Sequence, residues 1–239
     1  MQIQGKTAVV TGGTDGIGLW IARHLQRGGA RIIVCGRRPD LLDAARCEGF
    51  EAITADLSSP EGVAAFADQI AVRDIDILIN NAGAGSEYVL ANPVDLGATD
   101  QTIFLNVNAP IHLITRLIDQ LKARPEAAIV NVTSGLAIAP RAGSPVYCAT
   151  KAALRSFTKA IRFQLKSSNI HVIEALPPVV ETAMTAARAG KKMSAEACAR
   201  EIVDAIIDNR TEANVGMVKI LKAVHSVSPR LAEAIMIRF

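Results

Sequence analysis

The amino-acid sequence predicts an α/β fold: a mainly parallel, doubly wound sheet with helices on both faces. Apolar runs rich in β-branched residues alternate along the chain with longer segments in which apolar residues recur at helical spacing. The runs are apolar throughout instead of alternating with polar residues, which is typical of strands covered on both faces. Strands that alternate with helices are joined by right-handed crossovers, and such connections produce a parallel sheet.

Each element has its own signal in the sequence. Six apolar runs are predicted to be strands: Thr7–Val10, Arg31–Cys35, Glu51–Thr54, Ile75–Ile79, Ala128–Val132 and His171–Leu176. Four periodic segments are predicted to be helices: one that carries Ile17, Ile21 and Leu25 and ends at Gly28-Gly29, one from Ser59-Pro60 to Ala71, and two long ones over Thr99–Ala123 and Val146–Ser167. The tail, 216–239, departs from this alternation. It is predicted to be a short amphipathic helical extension whose last helix begins at Pro229.

Composition limits the domain count and the class of partner. Half of the 239 residues are hydrophobic, which is ample for one large core, and no linker or repeat interrupts the chain. We therefore expect a single domain over residues 1–239. The net charge is only +3, no dense basic run occurs, and 4% of residues are aromatic, so no nucleic-acid partner is expected.

Cysteine spacing and hydropathy indicate the expected compartment. Cys35, Cys47, Cys148 and Cys198 are widely spaced and form no C-x-x-C pair, so no metal site is expected and a reducing environment is favoured. The first residues lack the apolar run of a signal peptide, and no apolar stretch of about eighteen residues occurs. The expected location is cytoplasmic.

A glycine-rich segment, Thr11-Gly12-Gly13-Thr14-Asp15-Gly16-Ile17-Gly18, follows the first strand and opens the first helix. Gly12 permits a tight turn, Gly16 lets the backbone approach a pyrophosphate, and Gly18 lets the helix pack closely on the strand. Structural strand-to-helix turns also use glycine, but this placement favours a dinucleotide-binding Rossmann fold. The candidate cofactor-binding residues here are Gly12, Thr14, Asp15, Gly16, Ile17 and Gly18.

The end of the second strand indicates which dinucleotide is bound. An acidic residue there would bind the ribose 2′-OH of NAD, whereas this chain has Gly36 followed by Arg37 and Arg38. Arginine can bind a 2′-phosphate through paired charged hydrogen bonds, so NADP(H) is the predicted cofactor. Two observations leave NAD open: both arginines can simply solvate a loop, and Asp15 stands where some NADP-using relatives carry a basic residue.

Two further strand ends supply candidate cofactor residues. Asp56, with Leu57 beside it, follows the third strand and can accept from the adenine amine, although a helix N-terminal carboxylate is an equal interpretation. Asn80-Asn81-Ala82-Gly83 follows the fourth strand. Its small residues let the backbone pass close to the cofactor ribose, while the Asn side chains can brace neighbouring strands. Asn81, Ala82 and Gly83 are therefore candidates.

The second half of the chain carries a candidate catalytic group. Tyr147 and Lys151 are four residues apart in a predicted helix and share one face. An isolated pair of this kind is common, but Ser134 ends the fifth strand a short distance earlier. Ligands of open parallel sheets bind outside the carboxyl ends of the strands, so Ser134 is expected to face the same crevice as the phosphates.

These motifs together resemble the short-chain dehydrogenase/reductase family over about Lys6 to Thr182. The matching residues are Thr11-Gly12-x-x-x-Gly16-x-Gly18, Asn80-Asn81-Ala82-Gly83, Asn106, Ser134, Tyr147-x-x-x-Lys151, Pro177 and Thr182. Within the family, Cys35-Gly36-Arg37-Arg38 and Pro177-Pro178 resemble a bacterial branch named for an oxidoreductase encoded with lipoteichoic-acid alanylation genes.

The resemblance implies an NADP(H)-dependent oxidoreductase that interconverts a carbonyl compound and a secondary alcohol. Tyr147 would exchange a proton with the substrate oxygen, and Lys151 would lower the pKa of the phenol and hold the nicotinamide ribose. Ser134 would polarise the substrate oxygen. Asn106, with Asn108 as a competing candidate, would bind a water that links Lys151 to solvent. An NAD(H)-linked dehydrogenase and a non-catalytic NADP(H)-binding sensor are the alternatives.

The resemblance also implies the roles of the segment after the sixth strand. Thr182 would contact the nicotinamide carboxamide, with Pro177 and Val180 also at the cofactor. The family usually has Pro-Gly where this chain has Pro177-Pro178, which puts the path of this loop in question. Residues 183–193 would form a flap that orders over the substrate.

The expected substrate is a small carbonyl compound or alcohol with an apolar body. Arg141 and Arg188 could favour an acidic substrate, although solvated surface arginines are the preferred interpretation. For the tail, packing on its own domain or on a partner subunit is preferred over capping of the substrate pocket, and membrane contact is the least favoured. The resemblance implies a homo-oligomer, a dimer or tetramer, formed through Thr99–Ala123 and Val146–Ser167.

Overall fold

A computed structural model describes residues 1–85 and 87–238, and it confirms the predicted fold class. Seven parallel strands form one sheet in the order β3-β2-β1-β4-β5-β6-β7. Their bounds are β1 Thr7–Thr11, β2 Arg31–Gly36, β3 Glu51–Thr54, β4 Ile77–Asn80, β5 Ala127–Val132, β6 Ile170–Leu176 and β7 Glu212–Asn214. The chain reverses its direction of winding between β1 and β4, which opens a crevice at the carboxyl ends of those strands.

Helices cover both faces of the sheet. Within the described residues they are α1 Gly16–Arg27, α2 Pro39–Cys47, α3 Pro60–Ile70, α4 Leu96–Ile103, α5 Ala109–Lys122, α6 Pro145–Gln164, α7 Ala195–Ile207, α8 Val218–Val227 and α9 Pro229–Met236. Short 3₁₀ turns span Gly135–Ala137 and Ala183–Thr185. The sequence predictions did not include α2 and α7. None of the helices in the described part of the chain is long and apolar enough to cross a membrane.

Two apolar clusters, one on each face of the sheet, explain the uninterrupted apolar runs. In β1, Ala8 and Val10 point into the cluster formed with α1, α2 and α7, whereas Val9 points into the cluster formed with α3, α5 and α6. Successive strand residues face opposite sides, so both sets must be apolar. The continuous hydrophobicity of each strand is a direct consequence of this two-sided burial.

The helix predicted over Thr99–Ala123 is present as a continuous helical stretch, but it is not a regular α-helix throughout. A π-helical segment, Phe104–Asn108, separates α4 from α5 and ends just before Pro110. Pro110 has no N–H and cannot donate the regular helical hydrogen bond to the carbonyl of Asn106 four residues earlier, and its ring crowds that carbonyl. The wider π turn accommodates the proline and leaves Asn106 fully buried at the break.

The helical tail packs on its own domain. Val218 of α8 is buried and lies against Gly135, where an added Cβ would be 3.0 Å from the Val218 Cγ2. At the other end of the tail, the amide of Ala142 donates to the carbonyl of Ile237 at 3.1 Å. This packing agrees with the first of the three interpretations of the tail. Phe239, the last residue of the predicted extension, lies outside the described residues.

Candidate active site

A cleft opens at the carboxyl ends of β1, β4, β5 and β6. It encloses about 920 Å³ together with its solvent-filled mouth. Predicted site residues that line it are Gly12, Asp15, Gly16, Ile17, Asn81, Ala82, Gly83, Ser134, Tyr147, Lys151, Pro177, Val180 and Thr182. Further lining comes from Val132, Thr133, Pro178 and the residues of the predicted flap, Ala183, Met184 and Thr185. The glycine turn and the Ser–Tyr–Lys group therefore face one space.

The glycine turn is shaped to take a ligand close to its backbone. Gly12 has φ +62°, in the left-handed region that favours glycine. A Cβ at Gly18 would lie 2.4 Å from the carbonyl oxygen of Gly12 and from the Asn81 Nδ2, so no side chain fits there. The Asn81 amide in turn donates to the Thr11 carbonyl at 3.0 Å. The result is a strand-to-helix turn in which the backbone of Gly12 and Gly16 lines the cleft without side chains, which fits a bound pyrophosphate.

The two arginines after β2 are paired with carboxylates at the rim of the cleft. Arg38 donates to Asp15 at 2.7 Å, and Asp15 also accepts from the amide of Gly16 at the start of α1. Arg37 lies 3.6 Å from Asp56 and keeps 68% of its side chain exposed. Asp15 therefore holds a cation near the phosphate turn. Among the two arginines, Arg37 is the more exposed and the less closely paired.

Gly36, at the position of the acidic residue of NAD-binding proteins, has no room for a side chain. A Cβ there would lie 2.7 Å from the hydroxyl of Thr14. Thr14 is buried behind the glycine turn, so it supports the turn and does not line the cleft. The close contact between these two residues excludes a carboxylate from the end of β2 and leaves the arginines that follow as the nearest side chains.

Tyr147 lies half-buried on α6 with its ring against the loop after β4. A Cβ at Gly85 would come within 2.7 Å of the Tyr147 Cδ2, so glycine is required for this packing. Burial raises the pKa of the phenol, and the Ser134 hydroxyl and the charge of Arg188 oppose that rise. Lys151 is not among the groups that act on this pKa here, so its predicted lowering of the phenol pKa stays a prediction.

Lys151 lies one turn further along α6 and is almost fully buried, with 4% of its surface exposed. Its Nζ donates to the Val132 carbonyl at 2.9 Å and lies 5.7 Å from the centre of the Tyr147 ring. Burial lowers the pKa of this ammonium to about 8. Val132 was missed by the sequence reasoning because a backbone carbonyl at a strand end carries no residue-type signal.

Ser134 lies at the end of β5, where its backbone turns away from the sheet. Its Oγ accepts from the amide of Leu136 at 3.1 Å, and the next amide, that of Gly135, donates to the Pro177 carbonyl at 3.0 Å. The bond from Gly135 to Pro177 connects the ends of β5 and β6. The hydroxyl hydrogen of Ser134 is left to point into the cleft, where it can donate to a substrate oxygen.

Asn106 positions the loop that follows β4. Its Oδ1 accepts from the amide of Ala84 at 2.9 Å, and its Nδ2 donates to the Ala84 carbonyl at 2.8 Å and to the Thr150 hydroxyl at 3.0 Å. Gly83 lies between Asn106 and Lys151, and its Cβ would be 3.0 Å from the Asn106 Oδ1. Both polar atoms of the Asn106 side chain thus bind protein partners. Only the backbone carbonyl of Asn106 is left to bind a water.

The segment after β6 lines the cleft and reaches the glycine turn. Thr182 caps the 3₁₀ turn Ala183–Thr185, and its Cγ2 would be 3.1 Å from a Cβ at Gly16. Lys192 donates to the Thr185 carbonyl at 2.6 Å, and Val180 pairs with Met193 in a parallel bridge. In this structure the predicted flap is a folded loop attached at both ends.

Seven predicted site residues do not line the cleft: Thr14, Gly18, Arg37, Arg38, Asp56, Leu57 and Asn106. Gly18 and Asn106 contact residues next to the cleft, as described above, but they do not line it themselves. Leu57 is buried in the apolar core, so only its backbone can reach a ligand. Arg37 and Asp56 lie at the outer rim, where the carboxyl ends of β2 and β3 extend the cleft.

A buried ionic group lies next to the strand end that carries Ser134. The sequence reasoning missed it. Glu174 of β6 is fully buried, accepts from the Thr133 hydroxyl at 2.8 Å and pairs with Arg155 at 2.7 Å. Arg155 also lies 3.8 Å from Glu212 of β7, which pairs with Lys222 of α8. The group links α6 and the strand end beside Ser134 to the helical tail.

Comparison with known proteins agrees with this geometry. Residues 6–193 match the family described as short chain dehydrogenase. The uncharacterized oxidoreductase DltE of Bacillus subtilis is 39% identical over 190 residues, which cover 77% of this chain and 75% of that protein. This similarity confirms the predicted bacterial branch.

Solved structures extend the similarity to the whole fold. A short chain dehydrogenase from Burkholderia cenocepacia in complex with NADP is 25% identical, has a TM-score of 0.88 and covers 99% of both chains. A short-chain dehydrogenase from Sphingobium yanoikuyae in complex with NADPH is 25% identical, has a TM-score of 0.82 and covers 95% of this chain and 94% of that one. This chain is therefore a member of the short-chain dehydrogenase/reductase family, an NAD(P)-dependent oxidoreductase.

Proposed function

We propose that this protein uses NADP(H) to interconvert a small carbonyl compound and a secondary alcohol, with Tyr147 as general acid and base. The observation that carries the proposal is the cleft itself, in which Ser134, Tyr147 and Lys151 face the same space as the glycine turn. The apolar lining from Val180 and Met184 supports a substrate with an apolar body.

The chemistry follows from where each residue holds a proton. When bound, the nicotinamide cofactor supplies the hydride that adds to the carbonyl carbon. Ser134 donates a hydrogen bond to the carbonyl oxygen and polarises it, and Tyr147 passes its phenolic proton to the oxygen as the alcohol forms. The buried ammonium of Lys151, with a pKa of about 8, is the adjacent proton reservoir for the phenolate. A water on the Asn106 carbonyl would connect that reservoir to solvent.

Reduction and oxidation use opposite protonation states of the Tyr147 phenol. Reduction begins with the protonated phenol, whereas oxidation of the alcohol needs the phenolate as base. Because burial raises the pKa of the phenol, the acid form is the one present near pH 7. Oxidation is expected to speed up towards alkaline pH as the phenolate becomes populated.

The cofactor preference is proposed from the end of β2. Gly36 leaves no space for a carboxylate, and Arg37 is exposed and only loosely paired, so its guanidinium is free to bind a 2′-phosphate. The two solved relatives named above hold NADP and NADPH, which supports this choice. Arg37→Asp is expected to shift the ratio of kcat/KM for NADPH over NADH downward by about 100-fold, with Arg116→Asp as the exposed control. An unchanged ratio would show that Arg37 plays no part in cofactor choice.

The decisive test of the function is a titration of the protein with NADPH and NADH, followed by a panel of aldehydes and ketones. Nicotinamide and Trp20 fluorescence report binding, and absorbance loss reports turnover. Tight NADPH binding with turnover that is abolished in Tyr147→Phe is expected. Tight binding without turnover on any carbonyl would instead favour a nucleotide sensor, and preference for NADH would favour an NAD-linked dehydrogenase.

We also propose that the chain forms a homo-oligomer through α4, α5 and α6. Phe163 of α6 is 74% exposed, and Ile103 of α4 is exposed as well, so these helices carry apolar surface that an interface would cover. Light scattering on the purified protein gives the subunit number. Phe163→Glu is expected to shift the protein towards smaller species.

A further inference from the structure

Two consecutive residues at the end of β5 are tied to two consecutive turns of α6. The Val132 carbonyl accepts directly from the Nζ of Lys151 at 2.9 Å. The next residue, Thr133, is tied through a carboxylate: its hydroxyl donates to the Glu174 Oε1 at 2.8 Å, and the Glu174 Oε2 accepts from the Nη1 of Arg155 at 2.7 Å. The end of β5 is therefore joined to α6 by one direct contact and one bridge.

The bridge connects the two elements that carry the proposed catalytic residues. On the strand side, Ser134 follows Thr133 directly. On the helix side, Tyr147, Lys151 and Arg155 recur every four residues and share one face of α6. A bond from this face to the strand end constrains how far the serine lies from the tyrosine.

A gain in stability is a weak explanation for a bridge of this kind. Glu174 is fully buried, and only 14% of the Arg155 side chain is exposed. Apolar side chains of similar volume are often as stable or more stable at such a place, because no charge has to be desolvated. A charged hydrogen-bonded pair differs from an apolar contact in that it fixes a distance and a direction. We therefore look for its role in geometry.

The bridge is also separate from the groups that react. The direct contact to Val132 uses the ammonium of Lys151, which is the proposed proton reservoir. The bridge uses no group that gives or takes a proton in the proposed reaction. The spacing that it sets is therefore independent of the protonation state of Lys151.

We propose that Glu174 is a positioning residue that holds Ser134 against Tyr147 by bridging Thr133 to Arg155. Glu174 is fully buried and does not line the cleft, so it acts through the serine and not on the substrate. This inference rests on the roles of Ser134 and Tyr147 in the proposed function, and it adds the group that sets their spacing.

The main test removes the Thr133 hydroxyl with little change in shape. In Thr133→Val, kcat for the most rapidly reduced ketone of the panel should fall by about 10- to 100-fold at saturating NADPH, since a misplacement of about 1 Å can cost about 100-fold. The KM for that ketone and the Kd for NADPH should change by less than about 3-fold. Thr133→Ser keeps the hydroxyl and should retain kcat within about 3-fold of the wild type.

Thr7→Val is the matched control for this substitution. Thr7 is also buried on a strand, and its hydroxyl accepts from the Nη2 of Arg31 at 3.2 Å, but it lies at the amino end of β1, whereas the cleft opens at the carboxyl ends. This variant should lower Tm and leave kcat within about 3-fold of the wild type. The positioning role is overturned if Thr133→Val loses no more kcat than Thr7→Val, or if Thr133→Ser loses as much as Thr133→Val.

A double variant separates positioning from stability. Arg155→Met combined with Glu174→Gln leaves no carboxylate of Glu174 buried without a partner, so it should regain most of the stability that Arg155→Met alone loses. Because the bridge to α6 is cut, its kcat should stay at least about 10-fold below the wild type. A double variant that regains wild-type kcat together with stability overturns the proposal, since neutral packing would then serve equally well.

Hydrogen exchange keeps this inference distinct from the proposed function. The amide of Leu136 donates to the Ser134 Oγ at 3.1 Å, so its exchange rate reports whether the serine side chain is held in place, without substrate or cofactor. Thr133→Val should raise this rate by at least about 10-fold, and Thr7→Val should leave it unchanged.

The two proposals can then fail separately. If no carbonyl compound oxidises NADPH, the proposed reduction is refuted, while faster exchange at Leu136 in Thr133→Val alone would still support the positioning of Ser134 by Glu174. Equal exchange rates at this amide in the wild type, Thr133→Val and Thr7→Val overturn the positioning role.

Discussion

Removal of Arg155 should destabilise the fold far more than removal of an ordinary surface arginine. Its partner Glu174 is fully buried, their closest atoms are 2.7 Å apart, and only 14% of the Arg155 side chain is exposed. In Arg155→Met the carboxylate of Glu174 would keep its burial and lose its counter-charge. Breaking a buried pair in this way costs about 3–5 kcal/mol.

The expected loss of unfolding free energy in Arg155→Met can be converted into a shift in melting temperature. For a domain of this size each kcal/mol lowers Tm by about 2–4 °C, so Arg155→Met should melt about 6–20 °C below the wild type. Urea unfolding followed by circular dichroism gives the free energy directly, provided the transition is two-state. Arg210→Met is the matched control, because Arg210 pairs with Asp208 on the surface at 3.1 Å, away from α4, α5 and α6, and it should cost less than about 1 kcal/mol.

A second substitution tests the cause. Arg155→Met combined with Glu174→Gln removes both charges, and the amide oxygen can still accept from Thr133, so most of the lost stability should return. An Arg155→Met variant that costs no more than the Arg210 control would refute the reasoning. So would a double variant whose loss equals the sum of the two single losses, since the two side chains would then be acting independently.

Three other predictions follow from the cleft. Gly18→Ala places a Cβ 2.4 Å from its neighbours and should weaken NADPH binding by more than about 10-fold in a fluorescence titration, whereas Gly97→Ala on exposed α4 should not. Gly85→Ala pushes on the Tyr147 ring and should lower kcat with little change in Tm; an unchanged kcat would mean that the ring position is not critical. Because the folded-state pKa of Lys151 is about 8 and its unfolded value is 10.5, the unfolded chain binds more protons between these values. The wild type should therefore gain stability, relative to Lys151→Met, as pH rises from 8 to 10.5, by up to about 1.4 kcal/mol per pH unit, and parallel pH curves would contradict this.

The sheet could be predicted from sequence because its signals are local. Two-sided burial makes each strand apolar throughout, and the glycine turn must sit where a strand meets a helix. The fourth strand nevertheless begins two residues later than predicted, at Ile77, and the amide of Thr7 donates to the side chain of Asp76 at 2.9 Å. The π turn before Pro110 was also missed, since a proline near a helix start is compatible with a regular α-helix until the packing of Asn106 is known.

The positions of the site residues depend on contacts between distant segments, and these set the limit of the sequence reasoning. Motif spacing identified Ser134, Tyr147 and Lys151 as candidates, but the pKa of each group depends on its burial, which no spacing reveals. The pairing of Arg38 with Asp15 could not be predicted, because these residues lie 23 positions apart and meet only at the rim. The buried ionic group around Glu174 could not be predicted for the same reason, because its members are also far apart in the sequence.

The hydrogen bond from the Ala142 amide to the Ile237 carbonyl links the loop between Ser134 and Tyr147 to the helical tail. Hydrogen exchange at that amide requires the carbonyl to move away, so its protection factor measures how often α9 lifts from the domain. A tag or fusion that disturbs the last helical turn would thus reach the loop that carries Arg141. Hydrogen exchange at the Ala142 amide can therefore report, without any substrate, whether the loop and the tail remain docked.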